Sequence, residues 1–539
     1  MALYLTLSIA LYLISRLLYT TLLYPRFFSP LRNLPGPPLG DPIYGRFAEI
    51  MRTEAGVAQR EWVKEHGPVV RAVGPLGIER LIFMSPEACQ KILVSDWVDY
   101  PRPKFMRDTL GLVAGYGLLT VTGNEHKQMR KAMNPAFSIN NLMAQSDMYY
   151  DAIESLVELI NAQIDAQPDP HNGAELLMYE WLAKATLDII CATAFGYTTD
   201  SLHNPHNELA EAYEKLTSLQ TGPNLARFIA VVSIPGFARF LNSDFAHRHR
   251  KWFGYLGPFA QITHLLTSMS RIRAVSASIL ASKTREAAAS LPNDADAKRD
   301  IMSLLVRARA GVDEGKEGFT LSDGAMMDQV LTFLGAGHET TASGLAWTLW
   351  LLANDPISQS KLREEVTPLF ASTSTSTSTE APPRPGYRAL KDLAWLDCVV
   401  QESLRVLPPV PMTFRQAAKT DYIDGVLVPE GTLFYVPIRV INTWKEVWGP
   451  DAEEFKPSRW LNLPPKYNPA FSTLSFIAGP HACIGKTMAI IEMKAVLGAL
   501  ITHFEFSPAY EGQVPQPTAA VTMKPKDNMP LRVKRVKRD

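Results

Sequence analysis

Cysteine is scarce, with only Cys89, Cys191, Cys398 and Cys483 in 539 residues. Four widely spaced thiols exclude a disulfide framework or a zinc site, and they suit a reducing compartment. Net charge is absent too, because 54 basic residues balance 54 acidic ones. Nothing in that balance points to nucleic acid as a partner, and the basic run at 532–538 is a short tail of the kind that is solvated. Internal repeats are missing, and no flavin- or nicotinamide-binding segment is appended. By length the chain allows several domains, although single-core enzymes also reach this size.

Charge is nearly missing from residues 2–24 as well. As a helix rising about 1.5 Å per residue, this run spans roughly 35 Å, enough to cross a bilayer. Arg16 interrupts it and is expected to snorkel toward the headgroups. No basic residue precedes the run and no small-x-small site follows, which argues against a cleaved signal peptide. Arg16, Arg26 and Arg32 all lie on its C-terminal side, so the positive-inside rule keeps the body cytoplasmic. Leu34-Pro-Gly-Pro-Pro38 then reads as a stiff, extended linker. The expected division is an anchor at 1–24, a proline-rich linker at 25–45 and a catalytic body at 46–539. Within the body, the Ser/Thr-rich stretch 371–386 has little to bury and reads as a disordered surface insertion.

Helical patterns dominate what remains. A capping box, Thr320-Leu-Ser-Asp323, opens a helix that runs to Ala353, where Asn354-Asp355-Pro356 stops it. Its interior holds Gly335-Ala336-Gly337-His338-Glu339-Thr340-Thr341. Each interior glycine costs about 1 kcal/mol against alanine, so packing or function must want it there. Bare backbone would let a flat ligand lie against the helix, and Thr340 can bond back to the carbonyl of Ala336. His338 reads as a packed neighbour. Residues 181–195 are apolar with helical periodicity, and 396–411 reads as a helix ended by prolines, with Glu402 and Arg405 one turn apart. His126 and Arg130 are likewise one turn apart. The glycine-punctuated stretch 100–123 reads as a loop with short helical turns, and 427–437 as a hairpin. The apolar stretch 225–241 is either core or a lid dipping into the membrane.

Near the C-terminus, Cys483 stands between glycines, immediately before a helix-like run at 486–500. The glycines let the backbone approach something bulky, and the amide-rich helix start favours a thiolate. Such a thiolate can serve as the axial ligand of a haem iron.

Phe476, Gly479, Cys483 and Gly485 stand at the spacing F-x-x-G-x-x-x-C-x-G. This resembles the haem-binding signature of the cytochrome P450 family, with His481 where many members carry Arg. Four further motifs follow the family's order, so the resemblance covers roughly residues 30–535. It implies a mainly α fold with a small β region behind an N-terminal transmembrane helix, of the eukaryotic microsomal, fungal type. It implies haem b as cofactor, with Cys483 as axial ligand and Phe476, His481 and Gly485 around it. His126, in place of the family's Trp, and Arg130 would hold one haem propionate, and Arg415 the other. Residues 335–341 resemble the family's A-G-x-[DE]-T motif, which places Ala336 and Gly337 beside the haem and gives Glu339 and Thr340 the proton relay. Glu402 and Arg405 resemble its E-x-x-R motif, completed by Arg459 as a structural triad. Residues 448–455 resemble the meander before the haem loop, and 522–527 with 530–533 the family's final strand pair. The implied reaction is oxidation of a lipophilic small molecule, terpenoid or sterol-like, in secondary metabolism. It would use O₂ and electrons from NADPH-cytochrome P450 reductase at the endoplasmic reticulum membrane. A haem-thiolate isomerase or dehydratase and a non-enzymatic haem sensor or electron carrier stay open beside it.

Overall fold

Apolar residues at helical spacing put most of the chain into helix, and short β-rich runs fill small sheets, in a computed structural model that describes residues 1–219, 222–255, 257, 260–289, 300–313, 321–371, 384–518 and 521–537. The chain divides into two compact units, each assembled from separated pieces. The smaller comprises Met1–Met106, Val410–Ala452 and Pro464–Ala482, and the larger Arg107–Pro409, Glu453–Leu463 and Cys483–Asp539.

In the smaller unit, helix α1 (Ala2–Leu18) continues as a wider π-helix, Tyr19–Phe28, around Pro25. Tyr4–Phe28 is long and apolar enough to cross a membrane, and its first part is exposed while Pro25 near its end is buried, so the apolar helix reaches beyond the expected end at residue 24. Its end is tied to a sheet. Arg71 Nη2 bonds the carbonyl oxygen of Pro25 at 2.6 Å and pairs with Glu79, whose two carboxylate oxygens lie within 2.8 Å of the Ser29 hydroxyl. That sheet runs in the order β1-β2-β7-β4: β1 (Val69–Val73) is antiparallel to β2 (Glu79–Phe83), which lies parallel to β7 (Leu433–Val436), itself antiparallel to β4 (Thr413–Gln416). Val70, Leu81, Ile82 and Phe434 bury one core with Trp62 of helix α2 (Val57–His66).

The hairpin expected at 427–437 is not formed. β6 (Val426–Val428) pairs with β5 (Asp421–Ile423), and β7 belongs to the four-stranded sheet. Pro429 has no amide to continue a ladder and Gly431 takes φ +84°, so the chain turns between two sheets.

The larger unit is helical. Its principal helices are α3 (Gly123–Met133), α4 (Tyr150–Asp165), α5 (Met178–Phe195), α6 (Ala260–Ala289), α7 (Asp323–Ala353), α8 (Ala394–Val406) and α9 (Lys486–His503). Helix α7 begins one residue after Ser322, whose hydroxyl accepts the Ala325 amide; Thr320 of the expected capping box lies outside the described residues. It ends at Asn354, and Asp355 caps the next helix through Ser358. The α8 helix stops at Val406, ahead of Pro408, as a residue before proline disfavours helix. Two expectations change. Within 100–123, Lys104–Ala114 is an 11-residue helix, because its apolar spacing outweighs Gly111, and Gly115 ends it at φ +76°. The last strand, β9 (Pro530–Arg535), pairs with β3 (Ala174–Leu177) and β8 (Phe504–Pro508), whereas the 522–527 segment bridges back to 516–518.

Within 225–241, Val232, Ala238 and Leu241 join a core with Leu112 and Leu266, while Ile234 and Phe240 face outward. Of the insertion at 371–386, residues 372–383 lie outside the described residues. The chain re-enters at Arg384, which pairs with Glu154 and Asp151, and the Tyr150 hydroxyl bonds the Pro385 carbonyl at 2.6 Å.

Gly479, in the smaller unit, has φ +74°, and a Cβ there would stand 2.1 Å from the Leu93 carbonyl oxygen. Gly479→Ala is therefore expected to cost more than the roughly 1–2 kcal/mol of a left-handed alanine. Gly236→Ala, with equal strain but nothing within 4 Å, should cost only that much. Denaturant unfolding of the two variants checks the difference.

Candidate active site

Helix α7 supplies the first part of the site, in the larger unit. Most of its middle is buried, yet Ala336 is exposed and Thr340 half-buried. Thr340 Oγ1 donates to the Ala336 carbonyl oxygen at 2.8 Å, as its i−4 spacing predicts, and the helix stays continuous through this turn. The flanking glycines have packing reasons. A Cβ on Gly337 would meet Ile190 of α5 at 2.7 Å, and one on Gly335 would meet Ala114 at 3.3 Å. The open stripe is thus Ala336 with Thr340, and Gly337 serves close helix packing. His338 is a packed neighbour as expected: it is buried, its Nδ1 lies 2.6 Å from the Leu334 carbonyl oxygen, and its ring meets Tyr213 edge-on.

Glu339 projects toward the 522–524 segment, where Thr522 Oγ1 donates to its Oε1 at 2.6 Å. Lys524 is close enough to act on it: burial lowers the Lys524 pKa, and Glu339 and Glu214 oppose that shift. Thr522 and Lys524 are acidic-residue partners that no local spacing reveals, since 183 residues separate Thr522 from Glu339.

Cys483 precedes α9. It is the one exposed cysteine of the four, while Cys89, Cys191 and Cys398 are buried. Protein atoms still crowd the sulfur, so desolvation raises its pKa, and the Gly485 amide, Arg130 and Lys486 pull it back toward thiolate. Arg130 comes from α3, one turn after the buried His126, so both helices bring their expected residues to the larger unit. A Cβ on Gly485 would meet only the Phe137 ring, at 3.9 Å. Neither packing nor its φ of −88° requires glycine there.

In the smaller unit, His481 meets the Trp97 ring edge-on and its Nδ1 lies 3.2 Å from Arg102 Nη1. Arg415 is buried, with Nη1 donating to the Phe414 carbonyl oxygen at 2.7 Å and to Thr413 Oγ1 at 3.3 Å. Burial, with Arg102 beside it, pushes its pKa well below the usual guanidinium value, and burial takes Arg102 down to about 10. Two desolvated guanidiniums held together favour an anion between them. Arg102, within Tyr100-Pro-Arg-Pro103, was not legible as a site residue. Phe476 is half-buried in the segment leading to His481, next to Ile477 at φ +54°.

The Glu402 carboxylate, fully buried, collects five bonds in the larger unit. Arg405 Nε and Nη2 donate at 2.7 and 2.8 Å, Arg459 Nε at 3.2 Å, the Lys456 amide at 2.9 Å and Trp460 Nε1 at 2.9 Å. The expected triad forms, and Trp460 and the Lys456 backbone complete it.

The residues present fit a haem. Within the larger unit, an open thiol with a neighbouring guanidinium suits a thiolate ligand, the Ala336 stripe offers an apolar surface, and a Cβ on Gly485 would meet only the Phe137 ring among the described residues; within the smaller unit, the Arg102–Arg415 pair with His481 suits carboxylates. The family model for cytochrome P450 matches residues 35–532. The chain is 35% identical over 498 residues to cytochrome P450 monooxygenase 205 of Postia placenta, covering 89% of this chain and 86% of that protein. It is 29% identical over 530 residues to cytochrome P450 monooxygenase sphH of Aspergillus fumigatus, covering 96% and 90%. A third relative, the ganoderic acid synthetase of Ganoderma lucidum, is 30% identical over 507 residues, covering 89% and 88%.

Glu402→Ala strands two buried guanidiniums and is expected to destabilise by about 3–5 kcal/mol, whereas Trp460→Phe loses one neutral donor and about 1 kcal/mol. Unfolding curves and bound haem per chain measure both, and a fully haem-loaded, normally stable Glu402→Ala protein would contradict the assignment.

Proposed function

This chain belongs to the cytochrome P450 family and is a haem-dependent monooxygenase, and from that premise we propose that it oxidises a lipophilic terpenoid or sterol-like molecule of secondary metabolism on the cytoplasmic side of the endoplasmic reticulum membrane. In this reading residues 1–24 anchor the protein, 25–45 link, and 46–539 form the catalytic body. The observation that carries it is the exposed Cys483 thiol at the start of α9, beside Arg130. Haem, when bound, supplies activation of O₂ and insertion of one oxygen atom into a substrate C–H bond, with the other leaving as water.

The protein's residues divide the remaining work. Cys483 donates its thiolate to the iron, with Phe476 and Gly485 shaping the loop around it. Arg130 with His126, Arg415 with Arg102, and His481 bind the propionate carboxylates, where charge-assisted bonds are strong. Ala336 would allow close approach of the macrocycle to α7, whereas Gly337, expected beside it, packs against Ile190 of α5. Thr340 holds a proton at Oγ1, and Glu339, positioned by Thr522, exchanges protons with it. Glu402, Arg405 and Arg459 keep the scaffold in register. Electrons come from NADPH-cytochrome P450 reductase. The exposed apolar helix Tyr4–Phe28 supports the membrane placement, and the relative named for ganoderic acid synthesis supports the terpenoid part.

The reduced protein with carbon monoxide is expected to give the red-shifted Soret band of a thiolate-ligated haem, and Cys483→Ser to abolish it; an unchanged band in the variant refutes the ligand assignment. Thr340→Ala is expected to bind haem and substrate but send reducing equivalents to hydrogen peroxide, measured as peroxide formed per NADPH consumed. Titrating terpenoids and sterols against the ferric spectrum tests the substrate class, and a spin-state response confined to small polar compounds overturns it.

A further inference from the structure

Glu339, Ser343 and Trp347 follow one another at helical spacing on one face of α7, and all three meet the same short segment near the C-terminus. Thr522 Oγ1 donates to Glu339 Oε1 at 2.6 Å, while Ser343 Oγ and Trp347 Nε1 both donate to the Met523 carbonyl oxygen, at 2.8 and 2.6 Å. The Met523 amide in turn donates to the Pro409 carbonyl oxygen at 2.7 Å. Lys524 is held by its backbone as well: its amide donates to Thr518 Oγ1 at 3.2 Å, and its carbonyl oxygen accepts the Thr518 amide at 2.8 Å. A segment with almost no regular pairing is thus clipped to the face of α7 that carries Glu339. Thr522 already orients that carboxylate, so the neighbouring lysine is not needed for the purpose.

The Lys524 side chain occupies a place that is costly for a cation. Its Nζ lies 5.7 Å from the ring centroid of the buried Tyr179 on α5. Burial lowers its pKa, against the pull of Glu339 on one side and Glu214 on the other. Glu214 is exposed on the helix Glu208–Ser218. Ionisable groups therefore run from solvent at Glu214, through Lys524, to Glu339 and Thr340, all within the larger unit. Two phenols also stand in range of Glu339, Tyr179 and the buried Tyr213, whose hydroxyl has no partner among the described residues. Burial holds both well above the ordinary phenol pKa, so they keep their protons. The lysine is left as the carrier, since a desolvated ammonium can release a proton near neutral pH and a guanidinium cannot.

We propose that Lys524 is the proton donor that refills Glu339, drawing in turn on solvent at Glu214. The inference deepens the Glu339–Thr340 relay proposed above and rests on it. When Thr340 hands on its hydroxyl proton and takes that of Glu339, the carboxylate takes one from the Lys524 ammonium: an N–H bond breaks, an O–H bond forms, and no electrons change hands. The amine left behind regains a proton from solvent at Glu214, which restores the set.

Reductive methylation of the full-length, haem-loaded protein with isotopically labelled formaldehyde gives each lysine a resonance, and loss of one in Lys524→Arg assigns it. Its titration midpoint is expected below the ordinary lysine range, and lower again in Glu339→Gln, where an opposing carboxylate is gone. A midpoint indifferent to Glu339→Gln overturns the proposal. Catalysis is read with the sterol that gives the largest ferric spin-state response as probe. Haem-loaded Lys524→Ala is expected to lose product several-fold in favour of peroxide, and added methylamine to restore it. Lys524→Arg should fail in the same way, because a guanidinium keeps the charge but holds its proton. Full coupling in Lys524→Arg makes the lysine a mere charge and overturns the proposal, as does a Lys524→Ala protein deaf to methylamine. If the Lys524 variants match the parent while Thr340→Ala does not, the inference falls and the relay stands; if Thr340→Ala also matches the parent, both fall.

Discussion

One buried carboxylate fastens the larger unit where its chemistry begins. Glu402 leaves water entirely, and an isolated carboxylate in that position would be driven to neutralise. Instead two guanidiniums, an indole and a backbone amide converge on it, from α8 and from the 453–463 segment. None of the groups is comfortable alone: each arginine needs the carboxylate as much as the carboxylate needs them. The cluster is therefore formed whole or not at all, and it binds a helix to an irregular segment that has little regular backbone pairing of its own. Nonpolar packing could stabilise that segment as well, but it would not dictate one alignment.

The site residues are fixed by different kinds of force. Thr340 reaches its partner through helix geometry alone, while Gly337 lets α5 approach α7 and Gly335 admits Ala114, which leaves Ala336 as the open position between them. Around Cys483 the competition is electrostatic: lost hydration favours the thiol, and an amide and two cations favour the thiolate. In the smaller unit Arg102 and Arg415 remain together at a cost in desolvation and mutual repulsion that an anionic group would offset. Stability and function pull in opposite directions at these positions, as is usual for a site prepared for a ligand.

What the sequence revealed follows the range of the interaction. Local periodicity and caps located α7 from Asp323 to Ala353, the Thr340 back-bond and the Glu402–Arg405 pair, all within one or two turns. Family spacing added Arg459 across 57 residues. Trp460, Arg102 and Thr522 stayed hidden because their partners are distant in the chain and the residues carry no pattern of their own. Local cues also misled. The glycines of 100–123 suggested a loop where an amphipathic helix forms at 104–114, and two strand-like runs flanking Pro429–Thr432 suggested a hairpin although each is claimed by a different sheet. Gly335 and Gly337 of α7 were noticed for the right reason, that something must approach, but the structure shows Ala114 and Ile190 there.

The staple formed by Arg384 and Tyr150 on α4 has a consequence for how this chain can vary. Phe370 is buried and the Pro385 carbonyl is bonded by Tyr150, so both are secured to the larger unit, and for a flexible chain between two fixed points closure entropy rises by about 0.6 kcal/mol for each doubling of length. The length of the Ser/Thr-rich stretch can therefore change with little change in folding free energy. Selection on stability is blind to that length, and the segment is free to diverge or to accept foreign sequence while the helices on either side stay in place.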